Sequence, residues 1–135
     1  MENLKQLREL MTEHSLDGLA VVPGPNMAHL TNSKFHLSER PVVFIILQNE
    51  ATFILPELES PKILDLGVNY ITYDDEEGPR PAFEKFAKTN NTLRLGVESR
   101  IIRHLELDLM SSTGIASNVV DSIDIFAKLR MSKSD

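Results

Sequence analysis

Between Pro41 and Pro56 the chain runs Val42-Val43-Phe44-Ile45-Ile46-Leu47-Gln48-Asn49-Glu50-Ala51-Thr52-Phe53-Ile54-Leu55. Two apolar runs of strand length flank the polar Gln48-Asn49-Glu50, and β-branched and aromatic side chains fill both, so the segment predicts an antiparallel hairpin. Its turn has no glycine, which leaves the turn type open.

On the N-terminal side, Leu4, Leu7, Leu10, Met11 and His14 recur at three- and four-residue spacing with charged residues between them. That period predicts an amphipathic helix ending near Ser15. Asp17-Gly18 turns the chain into a short buried strand, Leu19 to Val22, which Pro23-Gly24-Pro25 ends. Asn26 is placed to cap a short helix running to Leu30 or Thr31. From Asn32 to Arg40 no period holds, and a loop is expected.

On the C-terminal side, Ile63, Leu64 and Leu66 predict a helix over 58–66, stopped by Gly67. Val68 to Tyr73 then predicts a strand and Asp74 to Pro79 a charged loop. A short helix is expected around Ala82-Phe83 and Phe86-Ala87, a strand over Leu93–Val97, and a helix from Arg103 to Met110. Asn118 to Asp121 gives a last strand, after which Ser122 is placed to cap a helix through Leu129. Helices alternating with strands, plus one hairpin, mean an α/β domain of three layers, with a mixed sheet of five or six strands flanked by helices.

Composition narrows the function classes. The 135 residues suit one domain, with 41% apolar and 25% charged residues. No cysteine is present, which excludes a disulfide scaffold and thiolate zinc sites and fits a reducing, cytoplasmic setting. No apolar run approaches a membrane span, and Met1 to Lys5 lacks the basic and apolar parts of a signal peptide. A net charge of −6 with 6% aromatic residues argues against nucleic acid or anionic lipid as a partner.

No complete active site emerges from the residues. His14, His29, His36 and His104 lack a second ligand at helical spacing. The acidic run Asp74–Glu77 lacks the alternation and central glycine of a calcium loop. Asp17, Asp65, Asp121 and Asp124 lie near element ends, where acids serve as caps and turns. No serine elbow or phosphate-cradling glycine motif occurs. The loop 32–41, carrying Phe35, His36, Glu39 and Arg40, stands out, since an exposed aromatic beside an arginine is enriched at contact surfaces. Equally, Phe35 could pack inward and Arg40 pair with Glu39 or solvent.

Several segments in order resemble the N-terminal domain of the creatinase/prolidase family, the Xaa-Pro peptidases with a pita-bread catalytic domain. They are Leu7-Arg8-Glu9-Leu10-Met11 through Leu16-Asp17-Gly18-Leu19-Ala20-Val21-Val22, then Pro25-Asn26-Met27-Ala28-His29-Leu30-Thr31, and Glu39-Arg40-Pro41. Leu55-Pro56-Glu57-Leu58-Glu59 and Leu129-Arg130-Met131-Ser132-Lys133-Ser134-Asp135 continue the series. The family's usual tyrosine is His29 here, and its glycine after the threonine is Asn32.

The resemblance implies a ribonuclease H-like fold over residues 1–129, with 130–135 beginning a linker to a C-terminal catalytic domain. Two divalent metals (Mn, Co or Zn) are expected in that domain and none in this chain. It implies a non-catalytic role: aiding assembly of a homodimer and lending a loop to the neighbouring subunit's pocket for proline-containing peptides. His29 and Arg40 are placed there by motif, Phe35 and His36 by position in the loop. An aromatic could stack on the proline ring, and a cation could hold a terminal carboxylate. The alternatives are a free-standing α/β binding module that has lost the peptidase, and a nuclease-like enzyme needing several converging carboxylates.

Overall fold

The computed structural model describes residues 3–133. In chain order the elements are α1 (Leu4–Glu13), β1 (Gly18–Val21), α2 (Pro25–Thr31), β2 (Val43–Leu47) and β3 (Ala51–Pro56). A run of 3₁₀ turns (Glu57–Leu66) leads to β4 (Asn69–Tyr73), α3 (Arg80–Thr89) and β5 (Leu93–Val97). The chain closes with α4 (His104–Ser112), β6 (Ala116–Asp121) and α5 (Ile123–Lys133).

The strands form one six-stranded sheet in the order β4-β3-β2-β1-β5-β6. β2 runs antiparallel to both β1 and β3, while β3–β4, β1–β5 and β5–β6 are parallel. The expected hairpin pairs Val43 with Ile54 and Ile46 with Ala51, and the Leu47 N–H closes the turn on the Glu50 carbonyl at 2.8 Å. This is the three-layer mixed α/β domain the sequence indicates.

Side chains alternate across a strand, so the central strands β1, β2 and β3 feed two cores. Phe44 and Ile46 join Leu7, Leu10 and Met11 of α1, Met27 and Leu30 of α2, and Ile125, Phe126 and Leu129 of α5. Val43, Ile45 and Leu47 face the other way, against Phe83 and Phe86 of α3 and Leu109 and Met110 of α4. Both faces of β1, β2 and β3 are therefore covered, which is why these strands are buried throughout. Gly18 sits where no side chain fits: a Cβ would lie 2.5 Å from Leu47 Cδ2 and 2.7 Å from the Ile46 carbonyl oxygen. Because the backbone contact cannot rotate away, Gly18→Ala is expected to cost about 2 kcal/mol by overpacking, read as a lower urea midpoint with an unchanged slope.

Three expectations are corrected. The segment 57–66 is 3₁₀ rather than α-helical, because Pro61 in its middle has no N–H to donate. Ile63 is buried there, whereas Leu58 and Leu64 are exposed. Asn26 does not cap α2: the helix starts two residues earlier than such a cap implies, with Gly24 at the cap and Pro25 at the first helical position. The Ser122 carbonyl accepts the Ile125 and Phe126 N–H groups, but its hydroxyl does not cap α5, and Asp121 Oδ1 takes the Ile123 N–H at 3.2 Å instead. Helix α5 runs through Lys133, so residues 130–133 are helical. Ser134 and Asp135, at the end of the expected linker start 130–135, and Met1 and Glu2 lie outside the described residues.

Candidate functional site

The loop between α2 and β2 crosses the end of the sheet where β1, β3, β4, β5 and β6 all finish. In open α/β sheets, clefts form outside the carboxyl ends of the strands. A cavity of about 370 Å³ lies here, lined by Phe35, His36 and Arg40 of the loop, Pro56 to Glu59 after β3, and Tyr73 to Asp75 at the end of β4. Three of the four residues singled out from the sequence thus meet in one cavity. His29 does not join them: it lines a separate groove between α2 and α5 with Leu30, Phe126 and Leu129.

The loop lacks regular structure, yet its backbone is held along its length. It leaves α2 through Asn32, whose φ of 55° is left-handed. Asparagine tolerates that conformation better than most residues, so the turn forms without glycine. Ser33 Oγ donates to the Lys62 carbonyl at 3.1 Å, and Lys62 Nζ returns a bond to the Lys34 carbonyl at 3.1 Å. Lys62 Nζ also lies 4.9 Å over the Phe35 ring, which leans on Phe53 at 5.8 Å. Phe35 is thus half-buried, packed inward on one side and lining the cavity on the other.

Further along, the Arg103 guanidinium donates to the Ser38 carbonyl at 2.6 Å, and the buried Tyr73 hydroxyl donates to the Pro41 carbonyl at 2.7 Å. Burial pushes the Tyr73 phenol above its ordinary range, so it stays a donor at all physiological pH. Arg103 is itself fixed by Glu106, 1% exposed, whose carboxylate accepts from the Arg103 backbone N–H at 2.9 Å and from the guanidinium at 2.6 Å.

Arg40 is engaged as well. Its Nε and Nη2 donate to Asp75 Oδ1 and Oδ2, both at 2.7 Å, with Glu39 further off at 3.7 Å. This bidentate bond holds the Asp75 carboxyl below its usual range. A ligand carboxylate approaching Arg40 must therefore compete with Asp75. Charge patterning along the sequence could not show this, since the two residues are 35 positions apart.

A second polar constellation was not visible in the sequence. Glu98, at the end of β5 and 8% exposed, accepts the Val22 N–H at 2.8 Å and the Asn26 side-chain amide at 3.0 Å. Arg130 donates to the other end of that amide at 3.2 Å. Burial pushes the Glu98 carboxyl above its ordinary 4.5, against the pull of those two donors. An acid whose folded pKa lies above its unfolded one binds more protons when folded, so its contribution to stability falls as pH rises from 4.5 through the raised value. Relative to Glu98→Gln, the wild-type urea midpoint should therefore decline across that window and level off above it. Parallel profiles for the two proteins would exclude this origin.

Among the described residues, no group of three or more His, Cys, Asp or Glu side chains could hold a metal ion. The described residues do not fit a two-metal centre, nor the converging carboxylates of a nuclease. No helix among the described residues is long and apolar enough to cross a membrane.

Comparison with known proteins gives a consistent picture. The model of the creatinase/prolidase N-terminal domain matches residues 3–132. A dipeptidase from Pyrococcus horikoshii superposes with a TM-score of 0.83 at 20% identity, over 96% of this chain and 36% of its own. A Mycobacterium ulcerans dipeptidase gives 0.80 at 23% identity, over 96% and 36%. The creatinase/prolidase N-terminal domain of a Streptococcus pyogenes X-Pro dipeptidase gives 0.84 at 12% identity, over 94% of this chain and 98% of that one. The chain thus spans about a third of the length of the two longer dipeptidases. Among proteins of curated function no match was found.

Proposed function

The chain belongs to the creatinase/prolidase N-terminal domain family, and on that premise we propose that it serves as the non-catalytic, substrate-gating domain of an Xaa-Pro dipeptidase or aminopeptidase. In this proposal the hydrolysis, with its two divalent metals, belongs to a C-terminal catalytic domain reached from α5, whose last turn ends at Lys133, through a linker that follows it. The whole enzyme is a cytoplasmic homodimer, and the loop 32–41 closes the neighbouring subunit's pocket over a proline-containing peptide.

The observation that supports this most is the contrast between the loop's backbone and its side chains. Its carbonyls are gripped by Lys62, Arg103 and Tyr73, yet Leu37 is 59% exposed and Leu58, across the cavity, 89% exposed. A segment ordered in advance while presenting apolar side chains loses little entropy on contact, which is what a docking element needs. Phe35, His36 and Arg40 are the residues it presents at the cavity, whereas His29 lies in the separate α2–α5 groove and is left out of the gating set.

The test is kinetic and uses the longer enzyme. Phe35→Ala, His36→Ala and Arg40→Ala are each expected to raise KM for Xaa-Pro dipeptides by roughly 5–10-fold with a smaller change in kcat, as loss of about 1 kcal/mol of uniform binding does. His36 is exposed, so its replacement leaves folding intact. Unchanged KM in all three variants contradicts the gating role.

A further inference from the structure

Beyond the gating cavity, a second pocket of about 220 Å³ opens where β1, β5 and β6 end, between the start of α2 and the start of α5. We propose that it is a binding site for a free α-amino acid, taken as the zwitterion. This site rests on no part of the gating proposal.

The argument begins with charge placement. Glu98 and Arg130 both line the pocket and are linked by one side-chain amide, that of Asn26, which donates to Glu98 and accepts from Arg130. A buried acid and a cation therefore stand one amide apart. An α-ammonium and an α-carboxylate are separated on the same scale, so the two ends of an amino acid can lie alongside the Asn26 amide. Each Glu98 oxygen accepts one bond from the protein and can accept a second, from the ammonium. Arg130 has further donors for the carboxylate, and Arg100, also lining the pocket, brings a second guanidinium.

Two further observations point to an occupant. Ser122 lines the pocket, is 1% exposed, and its hydroxyl has no hydrogen-bond partner. Buried hydroxyls are nearly always satisfied, and an occupant of the pocket would supply the partner this one lacks. Ile101 and Ile123 are 36% and 37% exposed and line the same pocket above the buried Phe126. They provide an apolar wall for the amino acid's side chain, and so favour an aliphatic one.

The test is thermal unfolding of the 135-residue chain with leucine, valine, isoleucine, glycine and aspartate in turn. Parallel samples carry isobutylamine, which has only the amine, and isovalerate, which has only the acid. An aliphatic amino acid at about ten times its Kd is expected to raise Tm by roughly 3–5 °C, saturably, while neither half-molecule does so. Arg100→Gln, a surface substitution that leaves the core untouched, should weaken the effect at least tenfold, and NMR shifts on titration should centre on Glu98, Ile101 and Ser122. The proposal is overturned by three results: no Tm shift with any amino acid at about 20 mM, an equal shift from one half-molecule, or an unaltered shift in Arg100→Gln.

Discussion

Replacing Arg103 by alanine is expected to lower the stability of the domain by about 3 kcal/mol, the scale on which a buried carboxylate loses its partner. Glu106 is 1% exposed, and its ion pair with Arg103 closes at 2.6 Å. With Arg103 gone, that carboxylate keeps only the backbone N–H of residue 103. At this chain length the loss corresponds to a fall in Tm of roughly 10 °C. The side chain of Arg103 is 30% exposed, so water reaches the site in part, which places the effect at the lower end of the range for buried pairs. Adding Glu106→Gln in the same chain removes the unpaired charge and should recover about half of the loss, whereas Glu106→Gln alone should be mild. Beyond stability, Arg103→Ala frees the Ser38 carbonyl, and amide exchange over residues 37–40 should speed up more than in the strands. A loss below about 1 kcal/mol would show that the pair is hydrated and holds nothing in place.

The second large effect is expected at Phe53. Its ring is fully buried, stacked on Phe44 with centroids 4.2 Å apart and an interplanar angle of 12°, and it supports Phe35 at 5.8 Å. Phe53→Ala removes a large side chain from a close-packed core and should cost about 3–5 kcal/mol. For a domain whose total stability is about 5–15 kcal/mol, that leaves a substantial unfolded fraction at 37 °C. Phe53→Leu keeps most of the volume and should cost about 1.5 kcal/mol. The pair of variants separates packing from ring stacking: urea midpoints in the order wild type, Leu, Ala are expected, and a Phe53→Leu loss as large as that of Phe53→Ala would place the energy in the stack itself. Because Phe35 leans on this ring, the loop should loosen in both variants.

The two effects show where sequence patterning reaches and where it stops. Core positions such as Leu7, Leu10, Met11, Phe44 and Phe53 were legible because burial repeats with the period of the element that carries them. The hairpin was legible because two apolar runs met at one polar break. Phe35, His36 and Arg40, singled out in the loop 32–41, share a cavity. What the sequence could not disclose were pairings between distant residues: Arg103 with Ser38 across 65 positions, Glu98 with Val22 across 76, Arg40 with Asp75 across 35. No local period encodes them, since they arise only when several strand ends converge on one edge of the sheet. The misplaced caps have a local cause. Asn26 and Ser122 are the residue types that cap helices, but α2 begins at Pro25 with Gly24 at its cap, two residues before Asn26, and at α5 Asp121 Oδ1 takes the first N–H while the Ser122 hydroxyl bonds nothing. His29, placed by motif with the loop residues, lies on α2 facing α5, because a helix fixes its side chains by its own 100° step rather than by nearness in sequence.

The account turns on this domain working as part of a larger peptidase, and the intact mass of the native protein tests that most directly. An antibody raised against this chain should detect, in extracts of the source cells, a species well above 15.2 kDa that co-fractionates with hydrolysis of Xaa-Pro dipeptides. A single species of 15.2 kDa, separable from that activity, would contradict the gating role and leave a stand-alone binding domain.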